Sequence, residues 1–255
     1  MLRSDHSLSE RVRTSLCEAM EAGIQVVPVT GRPFTVAQDV MKAFGCPDYW
    51  ILANGAVTYH TGEDRIVRGF WMDESAAQRV VSSLREAVPG VQFAVELERS
   101  SLFEDKFRRV LSRSPESYGA QPVDDVLQHL SGRIQKLLVF QPDLELDTLY
   151  RDIRATVGSL AVASYSGMNF VELSASLVTK AHALGALVSD IGLDQTNVAA
   201  FGDNHNDIPM LEWAGQSYAM GNASDDAKEA ATTVIGNNDD DGLADQVDKI
   251  VQNAS

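Results

Sequence analysis

The sequence predicts an α/β protein whose parallel-sheet core is split by an inserted α+β domain. Two observations carry this. Short apolar or β-branched runs alternate with amphipathic helical segments up to Asn54-Gly55 and again from Lys180 onward; short links between alternating elements build parallel sheets. Between these stretches the rhythm changes to hairpins and longer strands with an antiparallel character. The 255 residues suffice for one large domain or two modest ones. The predicted organisation is a discontinuous core, residues 1–56 and 172–255, around an insert at 57–171.

In chain order, Ser7-Leu8-Ser9-Glu10 is a capping-box pattern. It opens a helix whose apolar face is Val12, Leu16, Ala19 and Met20, stopped by Gly23. Ile24 to Val29 reads as a buried strand, although Pro28 removes a ladder donor. A helix from Phe34 to Phe44 follows, ended by Gly45 and Pro47, then a strand at Trp50–Ala53. In the insert, Ala56–His60 and Arg65–Trp71 around a Thr61-Gly62-Glu63-Asp64 turn form a hairpin. Next come a helix (74–88), a strand (91–97), a polar stretch, a helix near 123–130, a strand (133–140), a helix (144–157) and a strand pair (160–164 and 169–173). The α/β rhythm then resumes with a helix (180–191), a strand (197–201), a helix toward Trp213, a strand (216–220), a helix (224–231), a strand (233–235) and a last helix.

With 21 basic against 36 acidic residues the formal charge is −15. Such a surface repels nucleic-acid phosphates and anionic lipid, so neither is an expected partner. The N-terminus lacks an apolar signal-peptide core, and no apolar run reaches the ~18 residues of a membrane helix; a cytoplasmic location is expected. Cys17 and Cys46 show no metal-ligand or redox spacing. A basic cluster of Arg99, Lys106, Arg108, Arg109 and Arg113 reads as a solvated face balanced by Glu98, Glu104, Asp105 and Glu116.

Three segments could carry chemistry, each at a strand-to-helix junction, where open α/β sheets bind ligands. Gly202-Asp203-Asn204-His205-Asn206-Asp207 offers two carboxylates four positions apart with amides between them, suited to Mg²⁺ or merely to capping a helix. Thr30-Gly31-Arg32 offers a hydroxyl and backbone N–H groups for a phosphate. Lys180 opens a helix and would supply a cation. Together they would bind Mg²⁺ and a phosphoryl group, with the local positive charge that the chain otherwise lacks.

Thr30-Gly31-Arg32-Pro33, Thr179-Lys180 and Gly202-Asp203-x-x-Asn206-Asp207 resemble the second, third and fourth motifs of the haloacid dehalogenase superfamily. The nearer resemblance is to its Cof-type phosphatases with a large α/β cap. Asn54-Gly55-Ala56, Ala219-Met220-Gly221-Asn222-Ala223 and Asn238-Asp239-Asp240-Asp241-Gly242-Leu243-Ala244 match as well. The resemblance implies a Rossmann-like core with the insert as cap, and Mg²⁺-dependent hydrolysis of small phosphomonoesters, sugar phosphates foremost. It further implies that Thr30 and Gly31 bind the phosphoryl group, Lys180 neutralises its charge, and Asp203 ligates Mg²⁺. Asn206 would contact phosphate, and Asp207 would orient Lys180 or a metal-bound water. Arg32 could support the site, and His182 and His205 have no role in the pattern. The family's first motif, Asp-x-Asp-Gly-Thr, which carries the nucleophile and the acid/base and sits on the first strand, has no counterpart here. The expectation is that the functional protein begins upstream of Met1, and that this chain alone is impaired or inactive. The alternative is a non-catalytic binder of phosphorylated metabolites. An unfilled sheet position would also favour a homo-oligomer.

Overall fold

In the computed structural model, residues 1–98, 100–110, 120–166 and 168–254 are described. Helix α1 (Glu10–Glu21) starts where Ser9 accepts a hydrogen bond from the Val12 amide, and it buries Val12, Leu16 and Ala19. Helix α2 (Phe34–Phe44) ends at Gly45, whose φ of 73° closes the helix in the left-handed region. Strand β1 (Tyr49–Leu52) pairs antiparallel with β2 (Val57–His60), and β2 with β3 (Arg65–Gly69). The hairpin counted with the insert from its sequence therefore pairs with β1. Its Val57 and Tyr59 side chains sit in the same apolar core as β1 and α1.

The six-stranded sheet has the order β6-β5-β4-β7-β9-β8. Its members are β4 (Gln92–Leu97), β5 (Ser101–Glu104), β6 (Ala120–Val123), β7 (Ile134–Phe140), β8 (Ala161–Ser164) and β9 (Val171–Ala175). All pairings are antiparallel except β5 with β6. Helices α3 (Glu74–Ala87) and α4 (Leu146–Val157) cover one face. Val80, Val81, Leu84, Leu149, Ile153 and Val157 pack there against Phe93, Leu137 and Leu173 in a core of their own.

The chain then returns to the first core through α5 (Lys180–Asp190). Parallel strands β10 (Ala199–Gly202), β11 (Gln216–Ala219) and β12 (Thr233–Val234) follow, with α6 (Ile208–Trp213), α7 (Asp225–Ala230) and α8 (Gly242–Ala254). Helix α8 lies against α1. Arg3 and Ser9 both reach Asp241, Ser4 reaches Asp239, and Ser15 Oγ donates to Asp248 at 2.5 Å. No helix among the described residues is long and apolar enough to cross a membrane.

Three local readings differ from the structure. Residues 24–29 join the ladder only at Val29, bridged parallel to Ile51. Ile51 donates to the Pro28 carbonyl and accepts from Thr30 N–H; Pro28 has no N–H to give. Near 123–130 there is one 3-10 turn, Val126–His129, preceded by β6. The stretch taken as polar contains β5, because Glu104 is buried with its charge fully engaged. It accepts from the amides of Phe93 (2.9 Å) and Val126 (3.2 Å) and from Arg85 (2.5 Å). Of the basic cluster, Arg99, Arg113 and the Arg109 side chain lie outside what is described, and Arg108 sits over the Phe103 ring. Cys17 and Cys46 are free.

Candidate active site

Three loops meet at the ends of the strands. The first, Thr30-Gly31-Arg32, is shaped by its own hydroxyl: Thr30 Oγ1 accepts from the Arg32 amide at 3.1 Å. The second, Ala53-Asn54-Gly55, clamps the first. Ala53 N–H donates to the Arg32 carbonyl (3.0 Å) and Asn54 N–H to the Thr30 carbonyl (3.1 Å). Asn54 stands at φ 57°, a left-handed conformation that Asn tolerates. Contact is so close that a Cβ on Gly31 would lie 2.8 Å from Asn54 Oδ1, and one on Gly55 would lie 2.3 Å from the Thr179 carbonyl. At Gly55, where the neighbour is backbone and φ is 104°, glycine is a steric requirement; at Gly31 any side chain would have to displace the Asn54 amide.

The third loop follows β10. A Cβ on Gly202 would lie 2.5 Å from the Asp207 Cβ, so this glycine lets the Asp207 carboxylate fold back under its own turn. Asp207 Oδ2 accepts from the amides of Asp203 (3.0 Å) and Asn204 (3.1 Å). Its Oδ1 accepts from Lys180 Nζ at 2.5 Å. Lys180 is the first residue of α5, which Thr179 caps by accepting from the His182 amide. Both side chains of this pair are buried. Burial alone would raise the Asp207 pKa, but Lys180 and the two amides outweigh it and hold the carboxyl below its ordinary value. The pair therefore holds Lys180 Nζ against a carboxylate that already accepts three hydrogen bonds.

Asp203 differs. Burial, with the Asp207 charge next to it, raises its pKa, and the Met1 amino group and Lys180 oppose that rise. Its carboxylate accepts from Asn204 Nδ2 at 3.1 Å. The Met1 amino group is itself buried beside Asp203, Asp207 and Lys180, and burial lowers its pKa. Asn206 is buried and donates from Nδ2 to Asn54 Oδ1 at 2.9 Å. Among the described residues no cluster of three or more His, Cys, Asp or Glu side chains is placed to hold a metal. Asp207 is committed to Lys180, so Asp203 is the carboxylate of this loop left to hold one.

The structure thus brings Thr30, Gly31, Lys180, Asp203, Asn206 and Asp207 to one end of the sheet. His182 is exposed with its ring edge-on to Phe70. His205 stacks on Tyr165, centroids 4.6 Å apart, and meets Tyr150 Oη at 3.3 Å, so it bridges toward the insert. Sequence reading missed Lys136 and Glu172. Lys136 on β7 donates to the Gly31 carbonyl at 2.7 Å and to Glu172 Oε1 at 3.1 Å, and Glu172 accepts from Asn54 Nδ2. Their signal is a charged residue inside an otherwise apolar strand, as in Ile134-Gln135-Lys136-Leu137-Leu138 and Val171-Glu172-Leu173.

A family model of haloacid dehalogenase-like hydrolases matches residues 1–247. The chain belongs to that family. Among relatives, phosphatase YwpJ of Bacillus subtilis (strain 168) is 29% identical over 272 residues, covering 96% of this chain and 94% of YwpJ. The fold is shared with SMU.1108c of Streptococcus mutans UA159 (TM-score 0.85, 21% identity, 98% of this chain and 95% of that one). It is also shared with the subclass IIB sugar phosphatase BT4131 (TM-score 0.82, 19% identity, 96% and 92%). These neighbours carry the Rossmann-like α/β core with its cap to this hydrolase.

Proposed function

We propose that this protein is a phosphatase of small phosphomonoesters, sugar phosphates first among them, with its site at the meeting of the three loops. The observation that supports this most directly is the buried Lys180–Asp207 pair beside the glycine loop Thr30-Gly31 and the Asn206 amide. Phosphoryl transfer depends on positioning and on neutralising charge, and these groups supply both. Lys180 offers a pre-placed positive charge, Asp207 holds it in place, and Thr30 with the Gly31 N–H lies where a phosphate oxygen would be bound. Asp203 would hold Mg²⁺ together with phosphate oxygens and water, in keeping with the one or two carboxylates that this ion commonly takes from protein. Bound there, Mg²⁺ would add charge neutralisation to that of Lys180. The kinship with YwpJ and the shared fold of BT4131 support the phosphate-ester reading.

A second reading, a binder of phosphorylated metabolites without turnover, draws on the same groups, since Lys180, Thr30, the Gly31 N–H and Asn206 suffice to hold a phosphate. One experiment separates the readings. Phosphate release is measured from a panel of phosphomonoesters with and without Mg²⁺, and ligand binding by calorimetry in parallel. Mg²⁺-dependent release supports the phosphatase, and binding without release, weakened by Lys180→Ala, supports the binder. Neither release nor binding refutes both.

A further inference from the structure

The insert reaches the phosphate-loop region through three buried charges on neighbouring strands of its sheet. Glu96 on β4 lies opposite Lys136 on β7, and Glu172 on β9 lies diagonally across from Lys136. None of the three side chains is more than 9% exposed. Lys136 Nζ touches Glu96 at 3.3 Å and Glu172 at 3.1 Å, and it donates to the Gly31 carbonyl. From Glu172 the path continues to Asn54 and from Asn54 to Asn206. An unbroken line of polar groups therefore joins the sheet of the insert to both the glycine loop and the Asn206 amide.

That line has a direction. A carboxylate paired with a lysine only accepts hydrogen bonds, whereas an amide can be turned end for end. Because Glu172 accepts, Asn54 must give it the NH₂ end and turn its oxygen to Asn206. Asn206 must in turn give one N–H to that oxygen. One N–H of Asn206 is then left over, and its buried Oδ1 has no hydrogen-bond partner. The bond to Asn54 thus holds Asn206 in one orientation, with bonding capacity in reserve for a ligand that would offset the cost of its unpaired oxygen. Gly31 is held from the same direction by Lys136.

We propose that Glu172, anchored by Lys136, is a positioning residue for the phosphate site: through Asn54 it sets which way the Asn206 amide faces the ligand. The inference rests on the phosphate-binding reading above. It makes the insert part of the cradle as well as its cover, since the orientation of Asn206 and the seating of Gly31 both depend on side chains from the six-stranded sheet.

The test uses inorganic phosphate as probe on the whole chain, with calorimetry for affinity and ¹⁵N-edited NMR for side-chain amides. Glu172→Gln keeps the shape, but with its oxygen on Lys136 it turns an NH₂ toward Asn54, so the direction of the line is lost. The expected result is a shift of the Asn206 side-chain amide signals, although Glu172 does not touch Asn206, and about tenfold weaker phosphate binding, the size of one oriented hydrogen bond. Glu98→Gln, in the exposed pair with Arg133, should change neither. If Glu172→Gln binds phosphate as the wild type does while Lys180→Ala binds it weakly, this proposal falls and the phosphate reading stands. If the wild type binds no phosphate, both fall. Should Glu172→Gln not fold, Ser166→Ala serves, because it removes the hydroxyl donated to Glu172 Oε1. An affinity lowered by about two- to threefold supports the proposal, and an unchanged one overturns it.

Discussion

Glu96 carries an opposing pair of forces that can be measured. Burial pushes its carboxyl up to about 7 from an ordinary 4.5, with Glu172 adding to the rise and Lys136 resisting it. Lys136 itself is raised: burial works against its charge, and the two carboxylates outweigh burial. An acid whose folded pKa lies above its unfolded one holds its proton more tightly when folded. Stability is then greatest below the unfolded pKa and declines as pH rises toward the folded one. A gap of 2.5 units, from 4.5 to about 7, at ~1.36 kcal/mol per unit is worth about 3 kcal/mol in all. Glu96→Gln keeps the volume and removes the titration, and Lys136 retains Glu172 as its partner. Urea unfolding of both proteins from about pH 5 to about pH 8 should show the variant gaining about 2–3 kcal/mol on the wild type across that window. A difference that does not change with pH, or a wild type that becomes the more stable one toward pH 8, would refute the reasoning. The second outcome would mean that Lys136 needs an ionised Glu96, as when one partner of a buried pair is removed.

Other outcomes follow from the same contacts. Lys180→Met leaves the buried Asp207 without its cation, and should cost about 3–5 kcal/mol in urea unfolding while weakening calorimetric phosphate binding as Lys180→Ala does. Gly55→Ala places a Cβ 2.3 Å from the Thr179 carbonyl at a φ of 104°. It should destabilise by at least about 1–3 kcal/mol and lower the thermal midpoint. Ser9→Ala removes the α1 cap and the hydrogen bond to Asp241. A loss of about 1–2 kcal/mol is expected, with phosphate binding unchanged.

The alternation of apolar runs and helices was readable because each such element buries one side of an amphipathic pattern, as α1 and α4 do. The glycines at 31, 55 and 202 were readable as motif members, and the structure adds the reason, which is backbone and side-chain contact too close for a Cβ. Lys136, Glu172, Glu96 and Glu104 escaped because a charge in a strand looks like a solvent face. Only tertiary pairing reveals that these charges are buried and compensated. Residues 24–29 have strand composition, yet strand assignment depends on neighbours: Ile24 N–H turns back to the Ala19 carbonyl of α1, and the segment meets β1 only at its end, around Pro28 and Val29. The hairpin 57–69 was assigned to the insert on rhythm, while its side chains belong with β1.

The seating of α1 on α8 has a consequence for the order in which the chain can fold during synthesis. Val12, Leu16 and Ala19 emerge from the ribosome early, but the helix that holds Ala244 and Asp248 against them emerges only after the whole insert. The insert has its own sheet, its own helices and its own core, and all of it is available before α8 exists. The middle of the chain can therefore reach its final shape while the first helix is still waiting with an apolar face uncovered. During that interval the early segment is the part most in need of a chaperone, and slowing translation past the insert should lengthen the exposure.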